Sequence, residues 1–152
     1  MGQIEVVRRR EIAADHEDVL DALADYRGVH PRLLPERFTD YAVEEGGDGA
    51  GTVVRLRFHA TSRRVRDCLL DISEPGEGRL VEKDRNSTMV TEYTVEPASG
   101  GADKAALVTV RSTWQGAGGI GGFFERTFAP RVLGTAYDQI LDNLAAHMAA
   151  GA

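Results

Sequence analysis

Cysteine is nearly absent: the 152-residue chain has one, Cys68. A single thiol excludes an internal disulfide and every zinc site built on paired thiolates. Long apolar runs are missing too. None approaches the roughly 20 residues a spanning helix needs, so membrane insertion is not expected. Positive charge is in the minority, with 18 Lys and Arg against 24 Asp and Glu and a formal charge of −6. Nucleic acid is repelled on average by such a balance and is not expected as a partner. The one basic cluster, residues 8 to 10, alternates between two faces on a strand and makes no three-pronged patch. His16, His30, His59 and His147 lack metal-ligand spacing, and no serine or cysteine sits in a nucleophile motif. Neither a metal nor another cofactor is expected. The arginines near the start have no apolar stretch behind them, so no secretory signal is read and the expected location is cytoplasmic.

What remains is ordinary globular composition, 42% hydrophobic and 28% charged. The length suits one domain over residues 1–152 with a core of its own. Apolar periodicity then orders the elements. Ile4, Val6 and Ile12 share one parity, as in a half-buried strand, with Arg8 and Arg10 interrupting that face. Asp15, a good N-cap, precedes Val19, Leu23 and Tyr26, which fall on one helical face while Glu17, Asp18 and Asp21 point elsewhere. Gly28, Pro31 and Pro35 break the chain into a turn and at most one further short helix around Arg32 to Leu34. From Phe38 to Trp114, β-type runs alternate with turn clusters and predict six consecutive hairpin-joined strands.

The parity within those runs is informative. Val54, Leu56 and Phe58 share a face opposite Arg55, Arg57 and His59. The alternation repeats in Cys68, Leu70 and Ile72, in Met89, Thr91, Tyr93 and Val95, and in Val108, Val110, Ser112 and Trp114. One sheet face is therefore an apolar wall. Leu133, Tyr137, Ile140, Leu144 and Met148, at helical spacing, supply its cover. Pro130 is expected to kink or restart that last helix, and fraying is expected from Ala145 onward.

The order strand, one or two helices, six strands, long helix resembles the START-like (SRPBCC) superfamily of helix-grip proteins, specifically its polyketide cyclase/dehydrase-like branch of actinobacterial type. Two local stretches are similar as well. Ile12-Ala13-Ala14-Asp15 leading to Val19-Leu20 stands where that family has a strand end, an Ala-Pro pair and Val-Trp, with Asp15 replacing the proline and Leu20 the tryptophan. GAGGIGGFFERTF, at 116–128, feeds the last helix much as in actinobacterial members. The resemblance implies an α+β helix-grip fold: a bent seven-stranded antiparallel sheet wrapped around a long C-terminal helix, with one or two short helices between strands 1 and 2. It also implies a cavity between sheet and helix, used across the superfamily for lipids, sterols, plant hormones, polyketides or protein partners. Fold alone does not settle function.

Gly116, Gly118 and Gly121 spell G-x-G-x-x-G after a strand and before a helix, but the parallel strand of a dinucleotide-binding unit does not follow. They read as a hinge that lets the last helix pack down, or as a lid beside the cavity. Trp114, Phe123, Phe124 and Phe128 bracket that loop, and Tyr26, Phe38, Tyr41 and Tyr93 fall on inward faces. Aromatics most often fill a core, yet Tyr and Trp also suit an apolar cleft with a few orienting polar groups. Arg64, Arg66 and Glu82 carry the parity of the wall. Turned inward they must be paired; the alternative is an ion pair at a sheet edge. An inward Arg66 offers a planar fork of donors to a ligand oxygen. Asp67 faces outward. His30, beside Pro31, is the histidine placed to border the cavity as acid or base.

The expected ligand-binding set is Tyr26, Leu34, Phe38, Leu56, Phe58, Arg66, Leu70, Met89, Tyr93, Trp114, Phe123, Phe124, Phe128 and Tyr137. Three functions are open. The first is binding of a hydrophobic small molecule, whether lipid, isoprenoid or aromatic polyketide-like. The second is catalysis, as a polyketide aromatase/cyclase or dehydratase with Tyr26, His30, Arg66 and Tyr93 as candidates. The third is a protein-partner module. A monomer or homodimer is expected.

Overall fold

The computed structural model describes residues 2–98, 104–116 and 129–151. The chain runs β1 (Gln3–Ile12), α1 (His16–Ala24), α2 (His30–Leu33), β2 (Phe38–Glu45), β3 (Val53–His59), β4 (Val65–Ser73), β5 (Arg79–Asp84), β6 (Val90–Pro97), β7 (Ala106–Gln115) and α3 (Ala129–Ala150). The seven strands form one antiparallel sheet in the order β1-β7-β6-β5-β4-β3-β2. Strands adjacent in sequence pair by hairpins, except that β1 crosses to pair with β7. This is the helix-grip arrangement.

Alternation decides which face is buried. Along β7, Ala106, Val108, Val110, Ser112 and Trp114 are buried, and along β3 so are Val54, Leu56 and Phe58. Against them α3 lays Leu133, Tyr137, Ile140 and Leu144, each at most 3% exposed. The opposite sheet face is wet and ion-paired. Arg57 reaches Asp67, directly opposite it in register, at 2.8 Å, and Arg55 reaches Glu44 at 2.8 Å. Exposed pairs of this kind contribute little stability, but a one-residue slip would bury them and expose the wall.

Arg8 and Arg10, which interrupt the apolar parity of β1, are explained by the helix beside it. Arg8 reaches Asp138 at 3.3 Å and Arg10 pairs with Asp142, both on α3. Two residues along a strand, about 6.8 Å, match four along a helix, about 6 Å, so one ladder of ion pairs fits both repeats.

Several local expectations change. The first helix stops at Ala24, so Tyr26 lies in the turn beyond it and not on a helical face. Asp15 occupies the N-cap position without a capping hydrogen bond; its carboxylate faces His16 Nδ1 at 3.2 Å and Lys104 at 3.9 Å. Pro130 is the second residue of α3 as described, and the residues before Ala129 lie outside the described ones, so the expected kink or restart there is left open. Helical structure continues past Ala145 to Ala150, because Leu144 is fully buried and Met148 packs on the core. The stretch expected to act as a hinge or lid lies, apart from Gly116, outside the described residues, at 117 to 128.

Gly78, which opens the β5–β6 pairing, has φ +71°, and a Cβ there would stand 2.4 Å from the carbonyl oxygen of Val95. Its own carbonyl accepts from Val95 N at 2.8 Å, so the turn cannot back away without losing a ladder bond. Gly78→Ala is expected to cost about 2 to 3 kcal/mol from the strained φ and the clash, read as a lower urea midpoint at unchanged m-value. An unaltered midpoint would show that this turn relaxes freely.

Candidate functional site

A cavity of about 60 Å³ lies between the inner sheet face, α2 and α3, and its walls are mostly apolar. Tyr26, Leu34, Phe38, Leu56, Phe58, Arg66, Leu70, Met89, Tyr93 and Tyr137, all expected from the sequence, line it. Trp114 does not; it is buried in the core, in register with Ile4 of β1. Phe123, Phe124 and Phe128 lie outside the described residues. Sequence reasoning did not place Val54, Cys68, Thr91, Leu133 or Ile140 there, although each has inward parity or helical phase.

The polar end of the cavity is assembled by the turn between α1 and α2. The Asp25 carboxylate accepts from Gly28 N at 3.0 Å and Val29 N at 3.2 Å, and its carbonyl accepts from His30 N at 2.8 Å. That local capping of backbone donors bends the chain so that Tyr26 and His30 stack, with ring centroids 4.3 Å apart. The glycine-rich β2–β3 loop holds the turn from outside, with Tyr26 N donating to Gly47 O at 2.9 Å and Gly49 N to Ala24 O at 3.0 Å. Tyr41 donates to the Tyr26 carbonyl at 2.6 Å.

Glu82, on β5, closes the constellation. Its parity with Leu80 pointed inward, and it is 8% exposed. Tyr26 OH donates to its Oε2 at 2.8 Å, and His30 Nε2 stands 3.5 Å from the same oxygen. The other ring nitrogen, Nδ1, is 2.8 Å from the Leu23 carbonyl, which can only accept, so Nδ1 carries a proton. Nε2 is thereby left facing Glu82. Tyr93 meets the His30 ring edge-on at 5.9 Å. Farther along the wall, Thr91, Ser112 and Tyr137 join their hydroxyls, with Thr91 Oγ1 2.6 Å from Ser112 Oγ.

Arg66 marks the opposite end. It is exposed, in register with Phe58, which in turn faces Phe38 with ring centroids 5.0 Å apart. Glu82 is in register with Ile72 of the same strand as Arg66, about 20 Å farther along it. Arg64 is exposed, and Asp67 faces outward. Among the described residues no three His, Cys, Asp or Glu gather as metal ligands.

Burial, followed by the Glu82 charge, pushes the phenols of Tyr26, Tyr41 and Tyr93 above the ordinary 10.0; burial also raises Tyr137, against its bonds to Ser112 and Thr91. These are all four tyrosines of the chain. Burial, reinforced by Asp84, likewise pushes the Cys68 thiol up to about 12, so it is a neutral wall group and not a nucleophile. Because the folded state holds these protons more tightly than the unfolded chain, their contribution is complete below the ordinary values and is lost as pH rises through the folded ones. An alkaline titration is expected to show no tyrosinate absorbance near the ordinary phenol pKa, then one steep rise coincident with loss of circular dichroism. Gradual ionisation of even one tyrosine in the folded protein would contradict the burial described.

A family model described as polyketide cyclase / dehydrase and lipid transport matches residues 3–149. Among solved structures, the KanY protein is 42% identical, with a TM-score of 0.85 over 97% of this chain and 99% of that one. The Zhui aromatase/cyclase from Streptomyces sp. R1128 shares the fold at 14% identity, with a TM-score of 0.72 over 97% and 94% of the two chains. A START superfamily protein from Mycobacterium smegmatis does so at 15% identity, with a TM-score of 0.69 over 99% and 100%. No curated protein matches the sequence.

Proposed function

The chain belongs to the polyketide cyclase / dehydrase and lipid transport family, and from that premise we propose that it holds a hydrophobic small molecule, lipid, isoprenoid or aromatic polyketide-like, between sheet and C-terminal helix. The observation that carries this reading is a mostly apolar cavity with a small set of polar groups, Tyr26, His30, Glu82 and Tyr93, gathered at one end, the pattern by which small-molecule sites combine affinity with orientation. At about 60 Å³ the cavity is well below the roughly 300 Å³ that a drug-sized ligand fills, so binding moves a wall outward. Native mass spectrometry of protein purified from its own host is expected to reveal a retained apolar ligand. A hydrophobic library should raise the melting temperature, as any ligand selective for the folded state must. Absence of both an adduct and a shift would refute the reading.

One observation favours turnover as a second reading: the His30 proton anchored on Nδ1, which leaves Nε2 facing Glu82 beside two tyrosines. On this reading the chain is an aromatase/cyclase or dehydratase, with His30 moving a proton and Tyr26, Tyr93 and Arg66 orienting a flexible substrate. In a reconstituted assay Tyr93→Phe and Arg66→Ala should alter the product distribution. Unchanged products from both would reject it.

A further inference from the structure

Tyr93 is 2% exposed, and its hydroxyl has no hydrogen-bond partner among the described residues. No described side-chain nitrogen or oxygen is both sealed from space and unpartnered. The hydroxyl therefore opens on the cavity that the Tyr93 ring lines. Its neighbours are already engaged. Tyr26 donates to Glu82, and the two nitrogens of His30 face Leu23 and Glu82. Glu82 lies diagonally across the β5–β6 pair from Tyr93, since Leu80 is opposite Tyr93 and Glu82 opposite Thr91. Both point inward from adjacent strands, within reach of one small group between them.

Resting on the binding reading above, we propose that this end of the cavity is a subsite for a neutral hydroxyl carried on an apolar body, whose oxygen accepts a hydrogen bond from Tyr93 and whose O–H donates one to Glu82. The ligand class is a phenol or alcohol. A carboxylate or phosphate fits badly, because it sets a second negative charge beside the Glu82 carboxylate where little water screens it. A bare hydrocarbon leaves Tyr93 unpaired. The apolar body lies along Met89, Phe38 and Phe58 toward the Arg66 end. The raised Tyr93 pKa keeps the phenol protonated, and so a donor, at working pH.

The test uses three single-ring probes of similar size, phenol, toluene and benzoate, titrated into the full chain and followed by amide NMR shifts of cavity residues. Phenol is expected to bind at least about tenfold tighter than benzoate. Tyr93→Phe should reduce the phenol-to-toluene affinity ratio by about fivefold, one hydrogen bond's worth. The same variant without ligand should melt no lower than the parent, because an unpartnered hydroxyl is what it loses. Benzoate binding as tightly as phenol, a ratio unchanged by Tyr93→Phe, or a clearly lower melting temperature of the free variant would each overturn the subsite while leaving the cavity's role intact. If none of the probes, toluene included, shifts a cavity resonance, the binding reading itself falls, and the subsite with it.

Discussion

Glu82→Ala is expected to destabilise the protein by about 3 kcal/mol. Glu82 is 8% exposed and takes the Tyr26 hydroxyl at 2.8 Å with His30 Nε2 at 3.5 Å, so its removal strands a donor and an imidazole in a space too small to hydrate them freely. Breaking a buried pair from one side costs more than the pair is worth, because the abandoned partner keeps its desolvation penalty. Glu82→Gln keeps an acceptor for Tyr26 and the same shape, so about 1 kcal/mol is expected there. Urea unfolding of the two variants checks both. An alanine variant as stable as the parent would show that water enters and satisfies Tyr26 and His30, and the constellation would then not be a dry one.

The second large effect separates the ligand cavity from the core proper. Ile140 and Leu144 are both at most 1% exposed on α3, but only Ile140 lines the cavity. Each truncated to alanine is expected to lose about 3 kcal/mol, the usual sum of lost transfer energy and residual void. The variants should part company when an apolar probe such as toluene is added. In Ile140→Ala the new volume joins the existing cavity, and occupancy returns stability by mass action, about 2.7 kcal/mol at a hundredfold excess over Kd. In Leu144→Ala no such recovery is expected beyond that of the parent. Equal recovery in both would mean that the cavity is not bounded as described.

How much of this was legible beforehand depends on the range over which each interaction is specified. Strand parity is a local property, so the inward sets on β3, β6 and β7 follow from residues two apart, and the apolar stripe of α3 from residues three and four apart. Glu82 was legible as inward for the same reason. Its partners were not, because Tyr26 reaches it across 56 residues, from a turn placed by Asp25 and the glycine loop. Helical phase even misleads there, putting Tyr26 on α1 when the chain has already left it at Ala24. Trp114 shows the converse: inward parity says which side of the sheet a ring occupies but not how far along it the cavity extends.

The sequence by itself determined the order of elements, the buried face of each strand and helix, and the exclusion of an internal disulfide by a lone cysteine, since each is written in composition or short-range spacing. Only the tertiary structure decided that Tyr26, His30, Glu82 and Tyr93 share one end of a cavity, that Arg66 stands at the other, and that the tyrosine hydroxyls differ in their partners. The physical reason is that hydrogen-bond satisfaction is settled between side chains brought together by packing, and a polar residue carries no local signal of which distant group will meet it.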